Sequence, residues 1–315
     1  MKNIFDANLD NIKKAAEVIK QGGLVAMPTE TVYGLGANVF DAKAVASIFE
    51  AKGRPAFNPL ISHVENIDYL YEYAKTDDRV IALAKKYWPG PITFVLNRKD
   101  DNPALDLVCA GLKTITVRMP NHKIALELIK QAGVPIAAPS ANASGSISPT
   151  TAMHVYESLG NKVDMILDGG QCNVGVESTI LDLTGKNMVL LRPGGITKEE
   201  LEEFTNEEVL VTSKSPDLPK SPGQLLSHYA PNIPLYMNQN NRNQDNQALI
   251  GFGNMECDYN LSKTKDLKEA AANLFAYMKA ADKSGKFKSI AVASIPLDGL
   301  GTAINDRLTR ASYKK

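Results

Sequence analysis

Leu24-Val25-Ala26-Met27-Pro28-Thr29-Glu30-Thr31-Val32-Tyr33-Gly34-Leu35-Gly36 begins as an apolar run and turns at once into hydroxyl, carboxylate and hydroxyl. A buried strand that leaves its sheet at polar side chains is how α/β folds present groups to a ligand. Downstream stand Lys52-Gly53-Arg54-Pro55 and Asn58-Pro59-Leu60-Ile61-Ser62-His63. Between these blocks Asp41 is a good N-cap, Ala44, Val45, Ile48 and Phe49 recur at helical spacing, and Gly53 suits a left-handed stop. Lys52 and Arg54 therefore flank a helix C-terminus. Taken alone, Lys52 could merely complement the helix dipole, with Arg54 solvated. Their neighbours argue otherwise: glycine, prolines and Asn58 fix the backbone on both sides, and a planar guanidinium beside an ammonium suits a polyphosphate. The stretch reads as an anion site.

Working outward, an amphipathic helix is expected near Leu9 to Lys20, a helix near Asp78 to Tyr87, and strands at Leu60 to His63 and Ile92 to Leu96. The alternation implies α/β or α+β. Thr114-Ile115-Thr116-Val117-Arg118-Met119-Pro120 has the cleanest period of two, with Ile115, Val117 and Met119 on one face and Thr114, Thr116 and Arg118 on the other. Its polar face is either solvent-exposed or lines a polar cleft. Val134 to Ala138 is a short apolar strand running into Pro139-Ser140-Ala141-Asn142, a turn able to meet phosphate or ribose, or else to satisfy only its own backbone. Met165 to Gly170, Ser178 to Leu183 and Val189 to Arg192 read as strands ending in turns, followed by a capped helix from Thr197. Arg192, before Pro193-Gly194-Gly195, repeats the pattern of a cation at a strand end held by a stiff turn.

From Thr212 to Pro231 the chain changes character, because three prolines among the ten residues from Lys214 to Gly223 forbid a regular element. This is a linker, and its end at His228-Tyr229-Ala230-Pro231 suggests a lid. Beyond it, strands at Pro234 to Met237, Ala248 to Phe252 and Ser289 to Ile295, with helices near Leu267 to Ala281 and Thr302 to Ala311, make a small α/β domain. Gly251-Phe252-Gly253 and Gly299-Leu300-Gly301 are assigned to turns, since neither completes a dinucleotide loop.

The length of 315 residues suggests two domains, and 35 basic against 35 acidic residues give no bulk field for nucleic acid. Cys109, Cys172 and Cys257 are odd in number and far apart, which suggests a reducing compartment. No signal-peptide pattern or run long enough to span a bilayer is found, so a cytoplasmic protein is expected. His63, His122, His154 and His228 lack ligand spacing, no Walker A loop occurs, and Ser140 has no nucleophile-elbow motif. No structural metal and no covalent catalyst are expected.

Together with Ala138-Pro139-Ser140-Ala141-Asn142-Ala143-Ser144-Gly145, Glu177-Ser178-Thr179-Ile180, Leu191-Arg192-Pro193-Gly194 and Ser221-Pro222-Gly223, the quoted segments resemble the Sua5/YrdC/YwlC family of threonylcarbamoyl-AMP synthases. The resemblance is to the long form with a C-terminal Sua5 domain and covers nearly the whole chain. It implies a YrdC-type twisted mixed sheet flanked by helices over residues 1–207, a linker and active-site lid over 208–231, and a smaller Rossmann-like α/β domain over 232–315. The implied reaction condenses L-threonine, bicarbonate and ATP, with Mg2+, into threonylcarbamoyl-AMP and diphosphate. The product would pass to the machinery that makes t6A37 in tRNA, and at most a weak tRNA contact is expected.

By the same resemblance Lys52 and Arg54 are catalytic. Thr31, His63, Arg118, Ala138 and Ser178 would hold threonine. Lys52, Arg54, Asn58, Thr114, Ser140, Asn142, Ser148, Arg192 and Tyr229 would hold ATP. Gln224-Leu225-Leu226-Ser227 is more apolar than the family's usual Met-plus-basic version, so the resemblance supports no further nucleotide contact there. Two rivals are an RNA-binding module and a carbamoyl-transfer domain like that of hydrogenase maturation factors. Zero net charge without aromatic-basic interleaving disfavours the first. The Sua5-type tail, without acylphosphatase or zinc-finger-like segments, disfavours the second.

Overall fold

A computed structural model describes residues 3–99, 106–212, 220–223 and 228–313. Residues 213–219 and 224–227, which hold much of the expected lid, lie outside the described residues.

The strands of the larger sheet are β1 (Ile4–Asp6), β2 (Val25–Met27), β3 (Gly34–Asn38), β4 (Ile61–His63), β5 (Ile92–Asn97), β6 (Thr114–Arg118), β7 (Ile136–Ala137), β8 (Met165–Asp168), β9 (Thr179–Asp182), β10 (Met188–Arg192) and β11 (Val209–Val211). Their spatial order among the described residues is β1-β8-β2-β3-β7-β4-β6-β5-β9-β10-β11, with parallel and antiparallel pairs mixed. Helices α1 (Leu9–Lys20), α2 (Ala42–Lys52), α3 (Asp68–Tyr73), α4 (Asp78–Tyr87), α5 (Lys123–Ala132), α6 (Ala152–Leu159) and α7 (Lys198–Thr205) belong to the same unit. One core forms where α1 and α5 meet β2 and β8 through Ile12, Ile19, Leu128 and Ile129. A larger one gathers Leu35, Ile48, Leu60, Phe94 and Leu181.

Local chemistry accounts for the element that matters most to the site. The Asp41 carboxylate accepts from Lys43 N and Ala44 N to start α2, and Gly53, at φ +61°, ends it in the left-handed region. Thr197 and Glu200 close a capping box on α7.

Gly34 to Asn38, given no element from the sequence, is a strand antiparallel to β2. Two expectations need correction. Residues 209–211, read as the beginning of the linker, pair parallel with β10 and form the sheet's edge, so this sheet extends to Val211 and past the expected boundary at 207. Gly299-Leu300-Gly301, read as a turn, opens a helix, because Gly299 is its cap.

The second sheet is parallel, in the order β12 (Leu235–Tyr236), β15 (Ser289–Val292), β13 (Gln247–Gly251), β14 (Tyr259–Asn260). Helices α8 (Leu267–Lys283) and α9 (Leu300–Ala311) complete its core through Leu274, Phe275, Ile304 and Leu308. That core also takes in Val32, Ile147 and Val176 from the first unit and Tyr229 from the end of the linker. No helix among the described residues is long and apolar enough to cross a membrane.

Candidate active site

The C-terminal ends of β2, β4 and β6, the turn after β7 and the start of β9 converge on one pocket. Thr29, Thr31, Arg54, His63, Arg118, Ala138, Ser140, Ser178 and Arg192 line it, with Pro222, Gly223, His228 and Tyr229 across the mouth. The space left inside is about 40 Å³, room for only a few waters. Gly223 lies so close over Arg192 that an added Cβ would meet Arg192 Cδ at 2.9 Å, and its φ of +85° suits glycine besides.

At one end Arg118 is held on every side. Its Nη2 lies 2.7 Å from Glu30 Oε1, its Nη1 donates to Thr31 Oγ1 at 2.9 Å, and its Nε donates to Gly90 O. His63 is its register partner on β4. Burial foremost, and then Arg118, push the His63 pKa down to about 3, so the ring is neutral. Ala138 N donates to Ile61 O, which sets the small residue beside this end.

The other end is cationic. Lys52 Nζ donates to Ser140 O and Asn142 O, and Arg54 donates through Nε to Asn58 O at 3.3 Å and through Nη2 to Pro59 O at 3.0 Å. Arg192 donates to Ser178 O from Nε and Nη2 and to Ser178 Oγ from Nη2. All three are buried, and among the described residues none has a carboxylate at ion-pair distance. Burial, with Arg54 adding, holds the Lys52 amine well below its ordinary pKa. Burial and Arg192 bring Arg54 down to about 10.

The expected residues are not all equivalent. Asn58 is buried behind Arg54, with no partner for Oδ1 among the described residues. Asn142 spends its amide nitrogen on Ala143 O and Ser146 in a local turn, as the bland reading of that segment anticipates. Ser148 donates to Glu177 and reaches the pocket only through that carboxylate. Thr114 is outside the pocket lining, as are Lys52, Asn58, Asn142 and Ser148. Thr114 opens β6, whose far end carries Arg118; at about 3.3 Å per residue the strand puts the two well apart.

Two side chains were not singled out from the sequence. Glu30 sits inside the opening motif, and its pairing with Arg118 appears only once β2 and β6 are brought together. Arg307 is wholly buried in α9, and its Nε donates to Glu177 Oε2 at 2.7 Å. A signal existed: Ile304, Arg307, Leu308 and Ala311 form one helical stripe, so a cation stands in the apolar face of the last helix.

A family model described as "Telomere recombination", for the Sua5/YciO/YrdC group, matches residues 17–194, and one described as "Threonylcarbamoyl-AMP synthase, C-terminal domain" matches 196–312. The threonylcarbamoyl-AMP synthase of Pyrococcus abyssi is 42% identical over 96% of this chain and 94% of its own. That of Bacillus subtilis is 39% identical over 98% and 94%. Among solved structures, P. abyssi Sua5 complexed with L-threonine superposes with a TM-score of 0.90 at 41% identity, covering 98% of this chain and 96% of the other. T. kodakarensis HypF, at 21% identity and TM-score 0.53 over 59% of this chain and 24% of its own, shares the fold alone.

Proposed function

The chain belongs to the Sua5 family of threonylcarbamoyl-AMP synthases, and we propose that its closed pocket condenses L-threonine, bicarbonate and ATP into threonylcarbamoyl-AMP and diphosphate. It is an enzyme of the nucleotidyltransferase type. The observation that carries the site assignment is the set of buried cations Lys52, Arg54 and Arg192, held by carbonyls and hydroxyl at the opposite end of the same pocket from the Arg118–Glu30 pair.

Threonine amine and bicarbonate give a carbamate and water. A carbamate oxygen then attacks the α-phosphorus of ATP, and the bond to the β-phosphate oxygen breaks to release diphosphate. The carbamate is a weak nucleophile, so the protein has to align reactants and neutralise charge. Arg118 takes the threonine carboxylate, with Thr31, neutral His63, Ala138 and Ser178 shaping that end. Lys52 and Arg54 are the catalytic cations on the phosphates, joined by Arg192, while Ser140 and Tyr229 meet the nucleotide. Asn58, Asn142 and Ser148 support the ATP site from behind rather than touching it.

The buried carboxylates Glu30 and Glu177 are each committed to an arginine. Mg2+ therefore fits as part of the MgATP substrate, held by phosphate oxygens and water. With about 40 Å³ free, the segment carrying Gly223 and Tyr229 has to lift for ATP to enter and then reseat, which keeps water from the mixed anhydride. In this reading the first unit is the catalytic domain, the segment to Pro231 its lid, and the remainder the C-terminal domain. A cytoplasmic enzyme would hand its labile product to the transferase machinery for t6A37, with no membrane role and at most weak tRNA contact. The test is diphosphate release by the purified chain, with the product identified by mass spectrometry. Release is expected only with threonine and bicarbonate both present, and equal release without threonine refutes the assignment.

A further inference from the structure

Arg307 lies in the second unit, yet its charge is spent at the active site. The side chain is 0% exposed. Its Nε donates to Glu177 Oε2 at 2.7 Å, its Nη1 to Asp306 at 2.6 Å, and its guanidinium carbon stands 5.3 Å from the centre of the Tyr229 ring. Nη2 has no hydrogen-bond partner among the described residues. Glu177 and Tyr229 both line the pocket, and the second oxygen of Glu177 accepts from Ser148. Glu177 directly precedes Ser178, whose carbonyl and hydroxyl hold the Arg192 guanidinium. The stacking of Tyr229 on Phe275, with ring centres 5.4 Å apart, seats the other side of the lid on the same unit.

We propose that Arg307 is a positioning residue for the nucleotide end of the site. Bonded to Glu177 and lying against the Tyr229 ring, it holds Glu177 against Ser148 and the Tyr229 ring over the pocket, which leaves Arg192 free to point at phosphate. A guanidinium is suited to the task because one rigid fork engages two carboxylates while its face lies on an aromatic ring. The alternative arrangement is plain. Deprived of Arg307, the buried Glu177 carboxylate would turn to the nearest other cation, Arg192, and draw it off the phosphates. The second unit thus does more than anchor the lid: it sets the charge state of the pocket wall. Threonine, whose carboxylate Arg118 takes at the other end, would be affected less, and only through Ser178.

This inference rests on assigning the Arg192 end of the pocket to ATP. The experiment uses the full chain carrying Arg307→Gln, Arg307→Lys, or Arg307→Gln with Glu177→Gln, and measures KM for ATP and for threonine separately. Arg307→Gln is expected to raise KM for ATP at least roughly tenfold, as for a buried charge left without its partner, with KM for threonine within about twofold. Arg307→Lys, which keeps the charge but loses the fork, should recover part of the ATP affinity. The double variant, which removes the stranded carboxylate, should recover it too. If Arg307→Gln does not fold, Arg307→Lys is judged by the same split. Losses falling equally on both substrates, or no loss, overturn the proposal. Failure of the unaltered chain to release diphosphate in a threonine-dependent way would instead refute the synthase assignment.

Discussion

Replacing Arg54 by methionine separates binding from folding. The guanidinium is buried, donates to Asn58 O and Pro59 O, and carries a pKa of about 10 against an ordinary 12.5, from burial first and Arg192 second. A lowering of that size corresponds to roughly 3 kcal/mol of strain on the charged form in the ligand-free fold. Methionine keeps much of the apolar length and removes the charge, forfeiting two charge-assisted hydrogen bonds of about 1.5 kcal/mol each. These contributions nearly cancel. The ligand-free variant is therefore expected within about 1 kcal/mol of the parent, a shift of a few degrees at most in Tm. ATP tells them apart, because a lost charged contact in a desolvated site costs on the order of 2 to 4 kcal/mol, roughly 30- to 700-fold in affinity. Thermal unfolding across an ATP titration, with isothermal titration alongside, reads both quantities. A ligand-free variant many degrees less stable that still gains the parent's full ATP stabilisation would make Arg54 a structural strut and move the nucleotide elsewhere.

Arg118→Ala should weaken threonine by roughly 2 to 4 kcal/mol while ATP binding changes little; calorimetric titration showing equal loss for both substrates would contradict the division of the pocket. Truncation after Thr212, which keeps β11, should yield a folded but less stable unit, since Val32, Ile147 and Val176 lose the small core they pack into. That unit should lose most synthase activity or leak adenylate, with Tyr229→Ala a milder case, and full activity with a long-lived product would refute the lid. Burial foremost keeps His63 and His228 neutral, each with a pKa near 3 against the ordinary 6.5. The unfolded chain binds protons below pH 6.5 that the fold refuses, so this stability is complete above 6.5 and declines as pH falls toward 3. The expected slope is roughly 1.4 kcal/mol per pH unit for each histidine. Denaturant melts on both sides of pH 6.5 should show a flatter slope in His228→Gln, and an unchanged one removes that ring from the account.

What the sequence made legible was local. The α2 cap at Asp41, the stop at Gly53 and the prolines around Arg54 are decided within a few residues, so the cation pair could be read as aimed. β3 was hidden because Gly34-Leu35-Gly36 looks like a turn. Its reason is tertiary: a Cβ at Gly36 would meet Ile136 Cγ2 at 2.7 Å, so the glycine admits a neighbouring strand rather than a bend. Thr114, expected at ATP from the resemblance, lies outside the pocket lining for the converse reason. Alternation correctly put it on the face of Arg118, but a shared face says nothing of position along the strand. The Arg307–Glu177 contact joins residues 130 apart, and no periodicity reports a pairing of that span.

Charge, more than shape, divides the pocket. Of the buried cations that face or border it, Arg118 is balanced by Glu30 and Arg307 by Glu177. Lys52, Arg54 and Arg192 have carbonyls and a hydroxyl as partners. Carbonyls can orient a cation but cannot neutralise it, so the fold leaves three charges awaiting an anion at one end and none at the other. An amino acid brings no net charge of its own and suits the balanced Arg118–Glu30 end, where its carboxylate can share the guanidinium. A triphosphate brings several negative charges, and only the other end is short of them. On the proposed reading the two substrates are thus sorted before either touches a side chain, and the carbamate oxygen would meet the α-phosphate at the boundary between the balanced and the unbalanced end, near Ser178 and Arg192.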